Sequence, residues 1–272
     1  MSAKIFYFSG TGNSLFIAKQ LADKLGGSAV PIGSLSGKDT IETQADIVGI
    51  VFPVYYAELP VIIKKFAGRL EAKGKYVFAV CSYGGAAGKS LKLIKAILRD
   101  RECKLSAGFG VHMPQNAFKK PWEVKEKVLA QSEKRIEFIA NSIAKKKKGT
   151  YYTNIPMEAV LRVMHPVIRS ACGKDFSKRT GLPQGTPIDE LVYMLDNSFA
   201  AGEACTGCGT CEAVCPVGNI RIESGRPVWL GHCENCLACC NWCPVKAITG
   251  GVSQGYYYRH PKVALSEMKE SR

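Results

Sequence analysis

Two runs of cysteines toward the end of the chain have the residue type and the spacing to hold iron. Each run reads C-x-x-C-x-x-C-x-x-x-C-P. Thiolate sulfurs are the ligands of iron–sulfur clusters, and three thiolates on one short, turning loop can cap three irons of a cubane. The fourth iron then needs a ligand from elsewhere. Each run could therefore supply most of the ligands of one iron–sulfur cubane. The cysteines are Cys205, Cys208, Cys211 and Cys215 in the first run, and Cys233, Cys236, Cys239 and Cys243 in the second.

Two other interpretations of these cysteines are open. One is a zinc module, although tetrahedral zinc sites usually use two cysteine pairs separated by a longer loop. The other concerns Cys240, because Cys236, Cys240 and Cys243 form another conceivable set of ligands. We favour Cys239 over Cys240 because Cys239 preserves the repeat between the runs. The same repeat predicts two similar half-modules.

The spacing resembles that of bacterial two-cluster ferredoxins, in which the fourth cysteine of each run ligates the cluster of the other run. The resemblance implies a small α+β domain of the 2[4Fe-4S] ferredoxin-like kind. It also implies two ligand sets that cross between the runs. These sets are Cys205, Cys208, Cys211 and Cys243 for one cluster, and Cys233, Cys236, Cys239 and Cys215 for the other.

A short, hydroxyl-rich turn near the start of the chain could bind a phosphate. A strand pattern ends at Phe8, the turn Ser9–Ser14 follows, and a helical pattern opens at Leu15. Backbone amides at a helix start, together with Ser and Thr hydroxyls, can cradle a phosphate, and glycines let the backbone approach it closely. The motifs G-x-G-x-x-G and Gly-Lys-Ser/Thr are absent, which argues against a nicotinamide dinucleotide and a nucleoside triphosphate as the source of that phosphate.

Apolar runs and helical stretches alternate over the first 150 residues. This alternation predicts an α/β fold with a doubly wound parallel sheet, in which ligands bind beyond the carboxyl ends of the strands. The predicted further strands are 46–52, 75–81 and 105–113, and the predicted helices are 60–70, 87–101 and 122–144. The strand ends carry the loops Ser9–Ser14, Pro53–Glu58 and Ser82–Gly85.

These three loops resemble those of the flavodoxin family, and the resemblance covers roughly residues 1–150. It implies a doubly wound, five-stranded parallel sheet that binds FMN. The phosphate would sit on the first loop and the isoalloxazine ring between the second and third, with Tyr55 and Tyr83 as the residues that could stack on the ring. The site residues so implied are Ser9, Gly10, Thr11, Gly12, Asn13, Ser14, Pro53, Val54, Tyr55, Tyr56, Ser82, Tyr83, Gly84 and Gly85.

Taken whole, the chain resembles the flavodoxin–ferredoxin fusion proteins of anaerobes, the EFR type. The expected organisation is a flavodoxin-like FMN domain at 1–150, a connecting helical or irregular segment at 151–196, a ferredoxin domain at 197–250 and a tail at 251–272. In the connecting segment we expect a helix after Pro156 that is interrupted near Pro166. His165 lies in that helical pattern and is expected to be packed rather than functional.

Charge and composition suggest partners and compartment. The formal net charge is +14, and nearly all of the excess lies in residues 1–150, although flavodoxins are usually acidic around the flavin. We expect a redox partner with an acidic surface, such as a ferredoxin or a reductase. The exposed run Lys145–Lys148 is interpreted as a helix end or linker, so no nucleic acid is expected.

Neither a signal peptide nor an apolar run of about 20 residues is recognisable, and the cysteines outside the runs lack a disulfide spacing. These features predict a cytoplasmic protein without a membrane span.

The sequence thus predicts an electron-transfer protein of the oxidoreductase type. It would pass single electrons between two [4Fe-4S] clusters and FMN, and link a low-potential donor to a redox partner. Two other classes are open: an FMN-dependent reductase that acts on a small substrate, and a redox-sensing interaction protein. No acid–base pair or His–Cys nucleophile arrangement identifies a substrate.

Overall fold

Continuous apolar runs in the first half of the chain form strands that are buried on both faces. All eight residues of Tyr76–Tyr83 and the first six of Ile47–Pro53 are buried, as parallel strands covered by helices on both sides should be. The computed structural model describes residues 2–117, 125–152 and 155–271, without the side chain of Arg162. The strands of this part are β1 (Ala3–Tyr7), β2 (Ser28–Pro31), β3 (Ile41–Glu42), β4 (Ile47–Pro53), β5 (Leu70–Glu71), β6 (Tyr76–Tyr83), β7 (Leu105–His112) and β8 (Gly149–Tyr151).

Six of these strands build one sheet in the order β2-β1-β4-β6-β7-β8. Every neighbouring pair in it is parallel. The short strands β3 and β5 pair only with each other. When the five strands other than β8 are numbered in chain order, their arrangement is 2-1-3-4-5, which is the order of flavodoxin-like doubly wound folds. The predicted α/β class with a flavodoxin-like parallel sheet is therefore confirmed.

The sheet has one strand more than the five that were predicted. The additional strand, β8, has three residues, which is too short for a recognisable hydrophobic period. The guanidinium of Arg135 holds it at the edge of the sheet by donating hydrogen bonds to the carbonyl oxygens of Gly110 at 3.1 Å and Tyr151 at 2.6 Å. The ring of Tyr151 also stacks on Phe109 with 5.1 Å between centroids.

The helices that cover the sheet each turn an apolar stripe inward. Leu91, Ile94 and Leu98 form such a stripe at helical spacing on the helix Ser90–Asp100, and all three are buried. Residues 122–124 of the predicted fourth helix lie outside the described part of the chain. The helices are α1 (Asn13–Leu25), α2 (Val61–Ala67), α3 (Ser90–Asp100) and α4 (Lys125–Ala144), with a 3₁₀ turn at Gly33–Leu35.

The fifth helix, α5, runs from Ile155 to Thr180 without the interruption that was expected at Pro166. A proline inside a helix removes one backbone hydrogen bond and crowds the carbonyl four residues earlier. Buried side chains on both sides of the proline, among them Glu158 and Phe176, anchor the two halves of α5, and the helix continues.

The last part of the chain is built from short elements. The strands Ile220–Glu223 and Arg226–Trp229 form one antiparallel pair, and Ala200–Ala201 and Ile248–Thr249 form another. Buried cysteines, Ile220 and Ile248 make up its core. The elements are α6 (Ile188–Met194), β9 (Ala200–Ala201), α7 (Thr210–Ala213), β10 (Ile220–Glu223), β11 (Arg226–Trp229), α8 (Ala238–Trp242), β12 (Ile248–Thr249) and α9 (Leu265–Lys269), with a 3₁₀ turn at Leu195–Ser198.

The described residues divide into two units, and the predicted phosphate turn is grouped with the second unit, whereas the sheet belongs to the first. The first unit holds the described residues of Met1–Phe8, Asn13–Pro114 and Pro121–His165. The second holds those of Ser9–Gly12, Gln115–Lys120 and Pro166–Arg272. The four-domain boundaries given above stay a prediction. In the described part of the chain, no helix is both long and apolar enough to cross a membrane.

Candidate cofactor sites

The turn between β1 and α1 carries the predicted phosphate-binding hydroxyls. Ser9 and Thr11 are buried, and the Ser9 hydroxyl accepts a hydrogen bond from the Gly12 amide at 3.2 Å. The helix α1 begins directly afterwards at Asn13, and its first turn has no acidic residue. Buried hydroxyls on a turn that contains no carboxylate fit an anion such as a phosphate.

Within the first unit, hydrogen bonds join residues from all three predicted loops. Ser14 Oγ at the start of α1 lies 2.9 Å from Ser82 Oγ at the end of β6. The Val54 amide, after β4, donates to the Ser82 carbonyl oxygen at 2.8 Å. The structure therefore brings these strand ends together, at the switch point where the strand order reverses around β1.

The second predicted loop makes a tight reversed turn. Tyr55 and Glu58 exchange both backbone hydrogen bonds, at 3.1 and 2.8 Å. Between them, Tyr56 and Ala57 have φ angles of 53° and 61°. Residues other than glycine rarely take this left-handed conformation, and two in succession are typical of a type I′ turn. Such strain often lies at ligand-binding loops.

The third predicted loop begins later than the sequence suggested. Ser82 and Tyr83 are the last residues of β6. The Tyr83 ring is buried and covers the backbone at Gly110, where an added Cβ would lie 2.8 Å from the ring. Tyr55 is only half-buried. Of the two residues predicted to stack on a flavin, Tyr55 therefore has the more accessible ring.

In the second unit, Cys215 of the first cysteine run lies with the cysteines of the second run. Burial raises the pKa of Cys233, and the neighbouring charges of Cys236, Cys239 and Cys215 raise it further. Burial is also the main cause of the raised pKa of Cys236, followed by the charge of Cys215. This crossing between the runs is the arrangement that the second predicted ligand set requires. The set itself stays a prediction.

The cysteines of the first run differ in their exposure. Cys208 is exposed and Cys205 is half-buried, whereas Cys211 is buried. The Thr210 hydroxyl lies 3.3 Å from the Cys208 sulfur, and this hydrogen bond lowers the pKa of Cys208. Burial raises the pKa of Cys211 to about 12. Cys243, the fourth predicted ligand of this set, is half-buried.

Both cysteine loops turn through the same left-handed step. Gly209 lies between Cys208 and Cys211 with φ 72°, and it directly precedes α7. Leu237 holds the equivalent position in the second run with φ 60°, directly before α8. The internal repeat is thus a repeat of backbone conformation as well as of residue type.

The donor set fits an iron–sulfur cluster. Backbone amides donate to three of the cysteine sulfurs: Asn219 to Cys215 at 3.2 Å, Asn235 to Cys233 at 3.2 Å, and Ala247 to Cys243 at 3.3 Å. Hydrogen bonds to the sulfurs are among the features that set cluster potentials. Buried thiols keep their protons unless a nearby cation favours the thiolate, and iron would supply that charge.

Over residues 2–117, 125–152 and 155–271, no three His, Cys, Asp or Glu side chains gather closely enough to hold one metal ion. A cubane does not need such a gathering, since each of its thiolates binds a different iron.

Two neighbours of Cys239 were not assigned a role from the sequence. Cys240 is fully buried, and its hydrogen bond to Cys239 is the largest cause of the raised pKa of that thiol. The Trp229 side chain packs against the buried core that contains Cys239. The Trp229 ring stacks on Phe199 with 5.6 Å between centroids. The only sign in the sequence of this stacking between Trp229 and Phe199 was the presence of a tryptophan shortly before the second cysteine run.

The different pKa shifts predict an order of thiol reactivity in iron-free protein. Cys208 is exposed and has a lowered pKa, so it should carry the largest thiolate fraction near pH 8 and react first with iodoacetamide. Cys211, with a pKa of about 12, should react far more slowly until the pH is raised. Peptide mass spectrometry after timed alkylation measures both rates. Equal alkylation rates at Cys208 and Cys211 would contradict the opposite pKa shifts of these two thiols.

Comparison with known proteins supports the iron–sulfur motif. Residues 202–221 match the family model described as 4Fe-4S binding domain. This segment contains the first cysteine run and not the second. Together with the sheet described above, it confirms the predicted combination of a flavodoxin-like fold and a 4Fe-4S motif on one chain.

One curated relative matches part of the chain. It is the pyruvate synthase subunit PorD of Methanocaldococcus jannaschii, which is 41% identical over 58 residues. The match covers 21% of this chain and 62% of PorD. The chain thus spans less than two thirds of the length of that relative.

Flavodoxins are among the solved structures that resemble the chain. A flavodoxin of Streptococcus pneumoniae TIGR4 is 20% identical, with a TM-score of 0.37 over 54% of this chain and 99% of its own. The flavodoxin of Fusobacterium nucleatum bound to flavin mononucleotide is 15% identical, with a TM-score of 0.39 over 54% of this chain and 99% of its own. The strand order, rather than these likenesses, defines the fold.

Proposed function

We propose that this protein transfers single electrons between two [4Fe-4S] clusters and a bound FMN. The proposal rests on the two cysteine runs, on the hydroxyl-rich turn at a flavodoxin-like switch point, and on the match to a 4Fe-4S binding domain. When bound, FMN can store two electrons and release them singly, whereas each cluster carries one.

One contact in the second unit carries the proposal. The predicted phosphate turn packs directly against the loop of a predicted cluster ligand, since a Cβ added to Gly10 would lie 2.4 Å from the carbonyl oxygen of Cys236. The indole N–H of Trp242 donates to the Gly10 carbonyl oxygen at 3.1 Å. The amide of His260 donates to the Thr11 carbonyl oxygen at 2.9 Å. The predicted phosphate turn thus contacts the second cysteine run directly.

The residues of the chain would hold and orient the groups that exchange electrons. The cysteines of the two runs would hold the clusters, and the N–H···S bonds would favour the thiolate state. Buried hydroxyls of Ser9 and Thr11 would orient the phosphate end of the flavin. Trp242, only 2% exposed, would keep water out of the contact between the turn and the cysteine loop.

The test is a cofactor count followed by a rate measurement. Anaerobically purified protein should contain about eight irons, about eight sulfides and about one FMN per chain. After rapid reduction of the clusters, the flavin absorbance should change with a first-order rate that does not depend on protein concentration. A colourless protein, zinc in place of iron, or a rate proportional to protein concentration would each overturn the proposal.

We further propose that the redox partner has an acidic surface, because nearly all of the +14 charge lies in residues 1–150. Association between opposite charges is fast at low salt and falls steeply as salt screens the charges. Reduction by an acidic ferredoxin should therefore slow about tenfold or more when the ionic strength rises from roughly 0.01 M to roughly 0.5 M. Stopped-flow absorbance measures this rate. A neutral small-molecule reductant is the control, and a ferredoxin rate that is equally insensitive to salt would contradict the proposal.

A further inference from the structure

The first part of α5, residues 155–165, buries polar side chains and exposes apolar ones. Glu158 is 1% exposed and His165 is 6% exposed, whereas Val160 and Val163 are 55% and 79% exposed. Burial of a carboxylate is costly unless strong hydrogen bonds or charges compensate for it. The orientation of this helix is therefore not explained by the hydrophobic effect, and the contacts of Glu158 and His165 have to account for it.

Glu158 is bound to the segment that follows β6. Its two carboxylate oxygens accept hydrogen bonds from the backbone amides of Ala87 at 2.7 Å and Gly88 at 3.1 Å. Hydrogen bonds to an ionised acceptor are about twice as strong as neutral ones. The carboxylate therefore fixes the backbone two residues beyond the predicted third flavin loop.

His165 contacts the second predicted flavin loop. It lies two helical turns after Glu158 and so on the same face of α5. Its Nε2 is 2.9 Å from Oε1 of Glu58, and the Nζ of Lys64 is 3.5 Å from the other oxygen of that carboxylate. Glu58 and Tyr55 are the two ends of the strained turn. The contact between His165 and Glu58 therefore links α5 to this turn.

The two loops also contact each other through their backbones. The Lys89 amide donates to the Ala57 carbonyl oxygen at 3.1 Å. Gly88 has φ +58°, and a Cβ added there would lie 2.5 Å from the same oxygen. A shift of either loop would therefore displace the other, and α5 is attached to both.

We infer that Glu158 and His165 are positioning residues that brace the two loops predicted to hold the isoalloxazine ring. The inference rests on the proposed function for the identity of the ligand, but the brace itself is a property of the chain. Loops that are already fixed in the binding conformation lose less entropy when the ligand binds. The brace should therefore raise the affinity for FMN without either side chain touching the flavin.

The test compares Glu158→Gln with Val163→Ala, a matched control on the exposed face of the same helix. Glutamine keeps the shape, but it loses the charge and places an NH₂ donor against one of the two amides. In flavin-depleted protein with intact clusters, we expect hydrogen exchange in residues 84–89 to become about tenfold faster or more, and the dissociation constant for FMN to rise about tenfold. The control should match the wild type in both measurements. A second variant, His165→Asn, should accelerate exchange at residues 55–58, and it replaces Glu158→Gln if that variant does not fold.

The possible outcomes separate the brace from the proposed function. Hydrogen exchange and FMN affinity are measured well below the melting temperature of the Glu158→Gln variant. If this variant melts at a lower temperature but its exchange and its FMN affinity are unchanged, Glu158 only stabilises the fold and the inference is overturned. Wild-type protein that binds no FMN would overturn the proposed function and the flavin part of the inference. In that case, the exchange data would still decide whether α5 braces the loops.

Discussion

Replacement of Gly10 by alanine is expected to destabilise the second unit and to weaken FMN binding together. The new Cβ would lie 2.4 Å from the carbonyl oxygen of Cys236 and 2.9 Å from its Cβ. These atoms belong to a buried cysteine loop and cannot turn away as the end of a long side chain could. Overpacking of this kind costs about 1–3 kcal/mol. We expect a loss of stability of that size and a rise of about tenfold in the dissociation constant for FMN, equivalent to about 1.4 kcal/mol. Thermal unfolding and fluorescence titration with FMN measure the two effects.

Gly37→Ala is the control for the change at Gly10. A Cβ at Gly37 meets no heavy atom within 4 Å, so this variant should behave as the wild type. Trp242→Phe provides a graded comparison, because it removes the hydrogen bond to the Gly10 carbonyl and keeps most of the ring. Its expected cost is about 1 kcal/mol. If Gly10→Ala binds FMN and unfolds as the wild type does, the turn does not depend on the cysteine loop.

Replacement of Cys236 by alanine is expected to remove one cluster. Cys236 is buried beside Cys215, Cys233 and Cys239, and an alanine side chain offers no atom that can bind iron. The iron content should fall from about eight to about four per chain. Iron and sulfide analysis together with low-temperature electron paramagnetic resonance would show the loss of one of two reduced-cluster signals.

Cys240→Ala is the matched control for the change at Cys236. Cys240 is equally buried, and its thiol is hydrogen-bonded to Cys239, so its replacement tests the alternative ligand set in the same surroundings. The iron content of Cys240→Ala should stay at the wild-type level. Full iron in Cys236→Ala, or a loss of iron in Cys240→Ala, would show that the ligands were chosen wrongly. Circular dichroism of each variant shows whether it remains folded.

The features that depend on local sequence were predictable. A fully buried strand such as β6 is a continuous apolar run, so its existence followed from residue type alone. The cysteine spacing is likewise local, because one short loop presents three thiolates. The edge strand β8 was missed since its stability comes from Arg135 and Phe109, which are distant in sequence. The same holds for Pro166, where anchors on both sides of the residue outweigh its local preference.

The brace formed by α5 shows why part of the site could not be predicted. Met157, Val160 and Met164 follow a helical period, and such a period normally marks the buried face. In the structure these residues are exposed, whereas Glu158 and His165 are buried. His165 is packed, as expected, but against a carboxylate of a predicted flavin loop. Only the tertiary contacts of Glu158 and His165 reveal which face of α5 is buried.

The contact between Gly10 and the Cys236 loop has a consequence for how long the protein survives in air. If an ordered cysteine loop strengthens the binding of a flavin phosphate, thermodynamic reciprocity requires the bound phosphate to steady the cysteine loop by the same free energy. Oxygen attacks clusters whose surroundings open, so occupancy of one site would protect the other. Protein stripped of its flavin should then bleach sooner on exposure to oxygen than protein that retains it.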